Sequence, residues 1–343
     1  MKFIESVYAK LHRHPKRIVF PDGEEPKIIR AASEYTRLLL GPAILLGDPE
    51  KIRAIGKEVD ADLKRVLVIQ PEHAADLELF VKRLETVRRY QGMKSDEARK
   101  LVTHCDYFAA LMIQNGQADG IVGGLNRPMG SLLRPLFSIV KPLPGIKSVS
   151  SCLIMQTPNK AYGHNGVFFM ADCGVIPDPT VEQLAEIGLE TARLARQLTG
   201  EMPYVAFLSY STKGSAKNKI TDKIAAATAL AKQKANESKM EVEIDGELEL
   251  ESAIVPESAA KLKGSPVAGK ANVLIFPDLN SGCIASQMLH RLASADVFGQ
   301  IILGLDRPAA DLFPGVTVDD IVGVSAIVGL QAIEYHRLYP DKY

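Results

Sequence analysis

Short apolar runs alternate with helix-periodic stretches along almost the whole chain, and this alternation constrains the fold more than any other feature. The runs lie at residues 17–20, 43–47, 66–69, 120–122, 149–155, 167–171, 204–208, 242–244, 273–276 and 301–304, each the length of a buried strand. Between most of them, apolar residues recur with helical spacing. Strands alternating with helices are the signature of βαβ units and a mainly parallel sheet. The pattern predicts an α/β fold with mainly parallel sheets and helices on both faces, an α/β/α layering. A chain of 343 residues has core enough for two such domains. Turn-rich sequence near 142–145 and 294–299 predicts two crossings between them. The expected division is a discontinuous first domain, 1–147 with 297–343, around a second domain, 148–296, with a cleft between the two.

Two helices carry their own end signals. Thr180 and Gln183 have capping-box spacing, and the apolar periodicity that follows stops at Gly200. A second helix is predicted over 219–236, rich in Ala and Lys. Residues 1–11 read as a short amphipathic helix, with no secretory signal. Residues 321–330 form the most apolar late stretch, half of the ~20 residues that a membrane span requires. The four cysteines, Cys105, Cys152, Cys173 and Cys283, form no C-x-x-C pair, which fits a reducing compartment and argues against a disulfide framework or structural zinc. These features together predict a cytoplasmic protein without a membrane partner. Lys plus Arg number 41 and Asp plus Glu number 41. With no net charge the chain is no nucleic-acid binder, and any anionic ligand must be held by a local basic patch.

The densest such patch is residues 209–217, directly after the apolar run 204–208. It offers the hydroxyls of Ser209, Ser211, Thr212 and Ser215, the ammonium groups of Lys213 and Lys217, and a flexible backbone at Gly214. Hydroxyls, backbone N–H groups and lysines at the end of a buried strand are what a phosphate cradle needs. The spacing is not that of a P-loop, and a polar surface turn is the competing reading. Other strand ends are polar as well: Pro21-Asp22-Gly23, Gly123-Gly124, Asp172-Cys173-Gly174, Asp245-Gly246-Glu247-Leu248 and Pro277-Asp278. Ligands of open α/β sheets bind off the carboxyl ends of strands.

Taken in order, these segments resemble the phosphate acetyl/butyryl-transferase family over nearly the whole length. The shared strings are residues 208–217 (LSYSTKGSAK), 245–248 (DGEL), 254–256, 269–279 (GKANVLIFPDL) and 319–323 (DDIVG). The resemblance implies two α/β domains of isocitrate-dehydrogenase-like topology, a homodimer, and an active site in the interdomain cleft. It implies reversible conversion of acetyl phosphate plus coenzyme A into acetyl-CoA plus phosphate. Coenzyme A is then a substrate; no bound cofactor and no metal are implied. Arg88 and Arg134 match family positions in the coenzyme A site or cleft, and Arg30 joins them as a candidate. Arginine forks suit the pyrophosphate and 3′-phosphate of that ligand. Asn280, Ser281 and Gly282 follow the shared Pro-Asp-Leu string and are candidate substrate contacts. Asp320 matches the family's proposed base for the coenzyme A thiol. Its spacing from Thr317 is also that of a helix capping box.

The chain departs from the family where the acyl phosphate is held. An Asn-Asp-Leu-Ser-Arg-Gly pattern becomes Ala310-Asp311-Leu312-Phe313-Pro314-Gly315, so the family's serine and arginine fall on Phe313 and Pro314. Losing such a cation costs about 2–4 kcal/mol of transition-state stabilisation, roughly 30- to 1000-fold in rate. Arg307 is the candidate substitute. Residues 128–131 and 282–286 also differ from the family. These departures leave two alternatives open beside the acetyltransferase: a non-catalytic acyl-CoA-binding or sensing protein, and an acyltransferase for a longer acyl phosphate. Cys173, Cys283 and His164 read as packing and turn residues.

Overall fold

The computed structural model describes residues 3–88, 92–128, 130–260, 262–313 and 315–338. Residues Met129 and Pro314 lie outside it. The chain divides into two compact units, Met1–Lys141 with Leu305–Tyr343, and Pro142–Gly304.

The first unit is built on β1 (Ile18–Phe20), β2 (Ala43–Leu46), β3 (Val66–Ile69), β4 (Gly120–Gly123) and β11 (Ala309–Asp311). Their order is β3-β2-β1-β4-β11, and every pair is parallel. Ile18, Val19 and Phe20 are fully buried, as are Ile121 and Val122; strands covered on both faces read as continuous apolar runs. The register sets Asp311 beside Gly123. The carboxyl ends of β1, β4 and β11 therefore share one edge of the sheet. The first helix, Phe3–Leu11, buries Phe3, Val7 and Leu11, the i, i+4, i+8 stripe of an amphipathic helix.

The second unit contains β5 (Ser150–Gln156), β6 (Val167–Ala171), β7 (Tyr204–Leu208), β8 (Glu243–Leu248), β9 (Val273–Ile275) and β10 (Asp296–Leu303). Their order is β10-β5-β6-β9-β7-β8. β5 runs antiparallel to both neighbours, whereas β6, β9, β7 and β8 are parallel. β10 pairs with β5 from Asp296 to Leu303, with a register shift between Phe298 and Ile301, so residues 297–303 belong to this sheet, and the second unit runs to Gly304. The carboxyl ends of β6, β9, β7 and β8 share an edge, as they do for the parallel strands of the first unit.

The locally encoded helices form as their end residues dictate. The helix Val181–Thr199 has a full capping box from Thr180 and Gln183, and it ends at Gly200 with φ 79°. The helix Lys219–Glu237 is capped by Asn218. Among the described residues no helix is long and apolar enough to cross a membrane.

Candidate active site

In the second unit, the loop 209–217 leaves β7 and folds around two carboxylates from the adjacent strand β8. Glu247 Oε1 accepts from Ser211 Oγ at 2.8 Å and from the Gly214 N–H at 2.9 Å. The Ser211 hydroxyl oxygen also accepts from the Ala216 N–H at 3.0 Å. Lys213, at φ 50°, reaches Asp245 with its ammonium group and donates to the Gly246 carbonyl at 3.1 Å. Asp245 also accepts from Lys232 at 3.0 Å and Ser265 at 2.5 Å. Burial pushes the Asp245 carboxyl up, but the hydrogen bonds from Lys213, Ser265 and Lys232 outweigh it and hold the group below the usual carboxylate range.

This geometry corrects the simple cradle. Ser211 is fully buried, and its hydroxyl serves Glu247, so it builds the loop and does not meet a ligand. Lys213 and Gly214 are likewise turned to the carboxylates. The remaining hydroxyls also serve the loop itself: Ser209 Oγ accepts from the Ser211 N–H at 3.3 Å and Ser215 Oγ from the Thr212 N–H at 3.1 Å, while Lys217 is exposed. Thr212 is tied to Glu249, accepting from its N–H at 3.0 Å. The strand-end carboxylates of β8 thus act as an internal anion that shapes the loop.

On the same edge, Asp278 caps the helix Leu279–Leu292, accepting from the Ser281 N–H at 2.9 Å. Ser281 Oγ donates back to the Asp278 carbonyl at 2.8 Å, and Asn280 is exposed beside them. Gly282 has a packing reason: a Cβ there would stand 2.4 Å from the Asp172 carbonyl oxygen, so only glycine lets this helix approach the end of β6. Asp172 is spent on structure. Its buried carboxylate accepts from Ser151 Oγ at 2.6 Å and from the N–H groups of Gly174, Val175 and Ile176.

In the first unit, Asp320 sits in the first turn of the helix Val318–Leu338. Its Oδ2 accepts from the Thr317 N–H at 2.8 Å and Thr317 Oγ1 at 2.7 Å, and its own N–H donates to Thr317 Oγ1 at 3.1 Å. The capping box is therefore formed, through one carboxylate oxygen. Arg30, on the helix Pro26–Arg37, lines a cleft of about 660 Å³ together with Thr317, Val318 and Asp319, which brings it to the start of the Asp320 helix. Arg88 and Arg134 are joined through Ser138. The Arg88 guanidinium donates to Ser138 Oγ, which donates to the Arg134 carbonyl at 2.6 Å. Arg88 also lies 5.8 Å from the centre of the Tyr107 ring. Arg134 is exposed on the first turn of the helix Leu133–Ile139. Phe313 is half-buried.

Arg307 is not a substitute for the family's arginine. It is 6% exposed. Its Nε donates to the Ile113 carbonyl at 3.0 Å, and its Nη1 to the Asp306 carbonyl at 2.8 Å. It lines a small cavity of about 240 Å³ with Arg17, Asp119 and His336. His336 is in the last turn of the helix that Asp320 begins, and sixteen residues of helix span roughly 24 Å. Arg307 precedes β11 and Asp311 ends it, so the two occupy opposite edges of the sheet.

A group absent from the sequence reading surrounds Arg127. Its Nη2 pairs with Asp22 Oδ1 at 2.8 Å and donates to Asp106 Oδ1 at 2.8 Å, while Nη1 reaches Asp106 Oδ2. Burial pushes the Asp22 carboxyl up against the pull of Arg127. Burial likewise raises Asp311 to about 6, opposed by the hydrogen bond from Gly130. At Gly124, φ is 90° and a Cβ would fall 1.8 Å from Asp311 Oδ1, so this turn requires glycine. Asp22 and Asp311 stood in strand-end strings, but nothing in the spacing of Arg127 and Asp106 marked them.

All four cysteines are free thiols, and burial raises each: Cys105 to about 12, Cys283 upward, Cys152 and Cys173 further. Thiols held protonated act as packing groups, not nucleophiles. Among the described residues no cluster of His, Cys, Asp or Glu is arranged to hold a metal ion.

Parallel α/β units whose strand ends present hydroxyls, ammonium groups and arginines define an enzyme class that handles anionic small molecules. Known proteins narrow that class. The sequence pattern of the family described as Phosphate acetyl/butaryl transferase matches residues 2–329. The phosphate acetyltransferase of Acetivibrio thermocellus is 41% identical over 333 residues, covering 97% of this chain and 98% of that protein. The solved phosphotransacetylase of Streptococcus pyogenes superposes with a TM-score of 0.87 at 34% identity, covering 97% of this chain and all of that one. The EutD phosphotransacetylase of Staphylococcus aureus gives 0.86 at 32%, covering 96% and 98%. The chain belongs to the phosphate acetyl/butaryl transferase family, and is an acyltransferase.

Proposed function

We propose that the protein is a phosphate acetyltransferase, moving an acetyl group reversibly between acetyl phosphate and coenzyme A. The observation that carries this reading is its near full-length kinship, at 40–41% identity, with proteins of that name. The site geometry supports it. Arg134 is exposed on a first helical turn and backed by Arg88 through Ser138, which suits a coenzyme A phosphate. Lys217, exposed on the 209–217 loop, suits an anion as well.

In the forward reaction, Asp320 takes the thiol proton of coenzyme A. The thiolate sulfur attacks the acetyl carbonyl carbon, the bond from that carbon to the bridging phosphate oxygen breaks, and inorganic phosphate leaves with the proton that Asp320 had taken. The capping box engages Asp320 through Oδ2 and holds the carboxylate at the helix start. The protein works as a homodimer in the cytoplasm, with no bound cofactor. Support for the dimer comes from the helix Leu279–Leu292, whose Ile284, Met288 and Leu292 are 59, 55 and 79% exposed in one stripe; such a face on a helix calls for a partner surface.

A second reading, acyl-CoA binding without turnover, draws on Phe313 in the family's serine position and on Arg307 at the far edge of the sheet. One experiment separates them. Purified protein receives coenzyme A with acetyl, propionyl or butyryl phosphate, and thioester formation is followed. Turnover fastest with acetyl phosphate is expected. Tight coenzyme A binding by calorimetry with no thioester would establish the binder instead.

A further inference from the structure

We propose that Arg127 is a positioning residue for acyl transfer: clamped between Asp22 and Asp106, it fixes the connection from β4 to the helix that carries Arg134. This rests on the reading of Arg134 as an anion-binding residue of the acetyltransferase.

That connection packs through Leu125 and Leu132, both buried, and Asn126 donates to Glu25 at 3.2 Å. It contains Gly124, Asn126 and Gly130, all at positive φ, and among its described residues no strand or helix before Leu133. Its polar backbone and Arg127 are tied down by carboxylates from three other elements. Asp22, after β1, accepts from the Gly124 N–H at 2.7 Å and the Leu125 N–H at 3.3 Å. Asp106, on the helix Cys105–Gln114, takes the Arg127 fork through both of its oxygens. Asp311, at the end of β11, accepts from the Gly130 N–H at 3.1 Å. The Leu133 N–H then donates to the Gly130 carbonyl at 3.0 Å, which starts the helix, and Arg134 is the next residue.

The charge balance argues for a positioning role over simple packing. Two carboxylates, Asp22 and Asp106, share one guanidinium with a third, Asp311, close by on Gly130, and Asp22 and Arg127 are only 8% and 29% exposed in their side chains. Such a cluster is costly to bury, and an apolar contact would pack the turn more cheaply. A guanidinium fork held bidentately by Asp106 gives direction as well as energy. Both Nη atoms are engaged by Asp22 and Asp106, so Arg127 acts through the connection and not on substrate.

The test is a double-mutant cycle on the full chain: wild type, Arg127→Gln, Arg134→Gln and the double variant. Each is assayed for kcat and for KM with coenzyme A and with acetyl phosphate, beside its thermal midpoint. Arg134→Gln and Arg127→Gln should each lower kcat/KM for coenzyme A by about tenfold, and the double variant should match Arg134→Gln within about twofold, because the clamp acts only through Arg134. Asp106→Asn opens the clamp from its more exposed side and should show the same non-additivity, which covers the case in which Arg127→Gln does not fold. Effects that multiply in full, or wild-type kinetics for both Arg127→Gln and Asp106→Asn, overturn the proposal. A wild type that makes no acetyl-CoA refutes the functional reading instead; the same cycle is then read in the Kd for coenzyme A, where non-additivity supports the clamp and full additivity overturns it.

Discussion

Asp311 should make the protein less stable as pH rises through 6, and replacing it with Asn should remove that loss. The carboxyl lies at the end of β11, 5% exposed. Burial, with smaller contributions from Asp22 and Asp106, raises it from 3.8 to about 6 against the opposing Gly130 N–H and Arg127. The folded protein therefore keeps a proton that the unfolded chain releases. The stabilisation this brings is fully present below the unfolded value and lost as pH rises through the folded one. A shift of about 2 units corresponds to about 3 kcal/mol, of which about 2 kcal/mol falls between pH 4.5 and 7.5. Asn cannot ionise, yet its amide oxygen can still accept from the Gly130 N–H. Urea unfolding of wild type and Asp311→Asn, followed by circular dichroism at both pH values, isolates this carboxyl, since the other groups are common to the two proteins. The variant should gain about 2 kcal/mol relative to wild type on going from pH 4.5 to 7.5. A difference constant to within about 0.5 kcal/mol would refute the reasoning.

Thr317→Ala removes the cap from the helix Val318–Leu338 but leaves the carboxylate, so it should cost about 1 kcal/mol of stability with kcat within a few-fold of wild type. Asp320→Asn should instead lower kcat by about 10²- to 10⁴-fold with little change in KM, and equal kcat losses in the two variants would return Asp320 to a purely capping role. Glu247→Gln keeps one acceptor oxygen for Ser211 and Gly214 but loses the charge, so it should cost about 1–2 kcal/mol in thermal or urea unfolding. It should also raise KM for acetyl phosphate more than it changes kcat; unaltered KM would detach the 209–217 loop from substrate binding.

Much of the scaffold was legible because its determinants are local. Apolar runs of strand length marked β1 to β10, and the Thr180–Gln183 box and Gly200 bounded the helix Val181–Thr199. β11 escaped notice: Ala309–Asp311 is three residues long and ends in an acid. That omission misplaced Arg307. Without a strand between them, Arg307 and the 310–315 segment read as neighbours, whereas three extended residues carry the chain about 10 Å, from one edge of the sheet to the other.

By itself, the sequence determined most of the strands, the two capped helices, the mainly parallel pairing and the family, because strand periodicity, caps and long shared strings all lie within short windows. It also supplied the hydroxyls and cations of the 209–217 loop and the Thr317–Asp320 box. Only the tertiary structure decided which way those groups turn. Ser211 meets Glu247 across 36 residues and Lys213 meets Asp245 across 32, because parallel pairing sets β7 beside β8. Arg127 finds Asp106 across 21 residues, and Asp22 finds the Gly124 N–H across 102. Side-chain chemistry is written residue by residue, but the partner that satisfies a buried donor or charge is chosen by strand order and burial, which no short window of sequence contains.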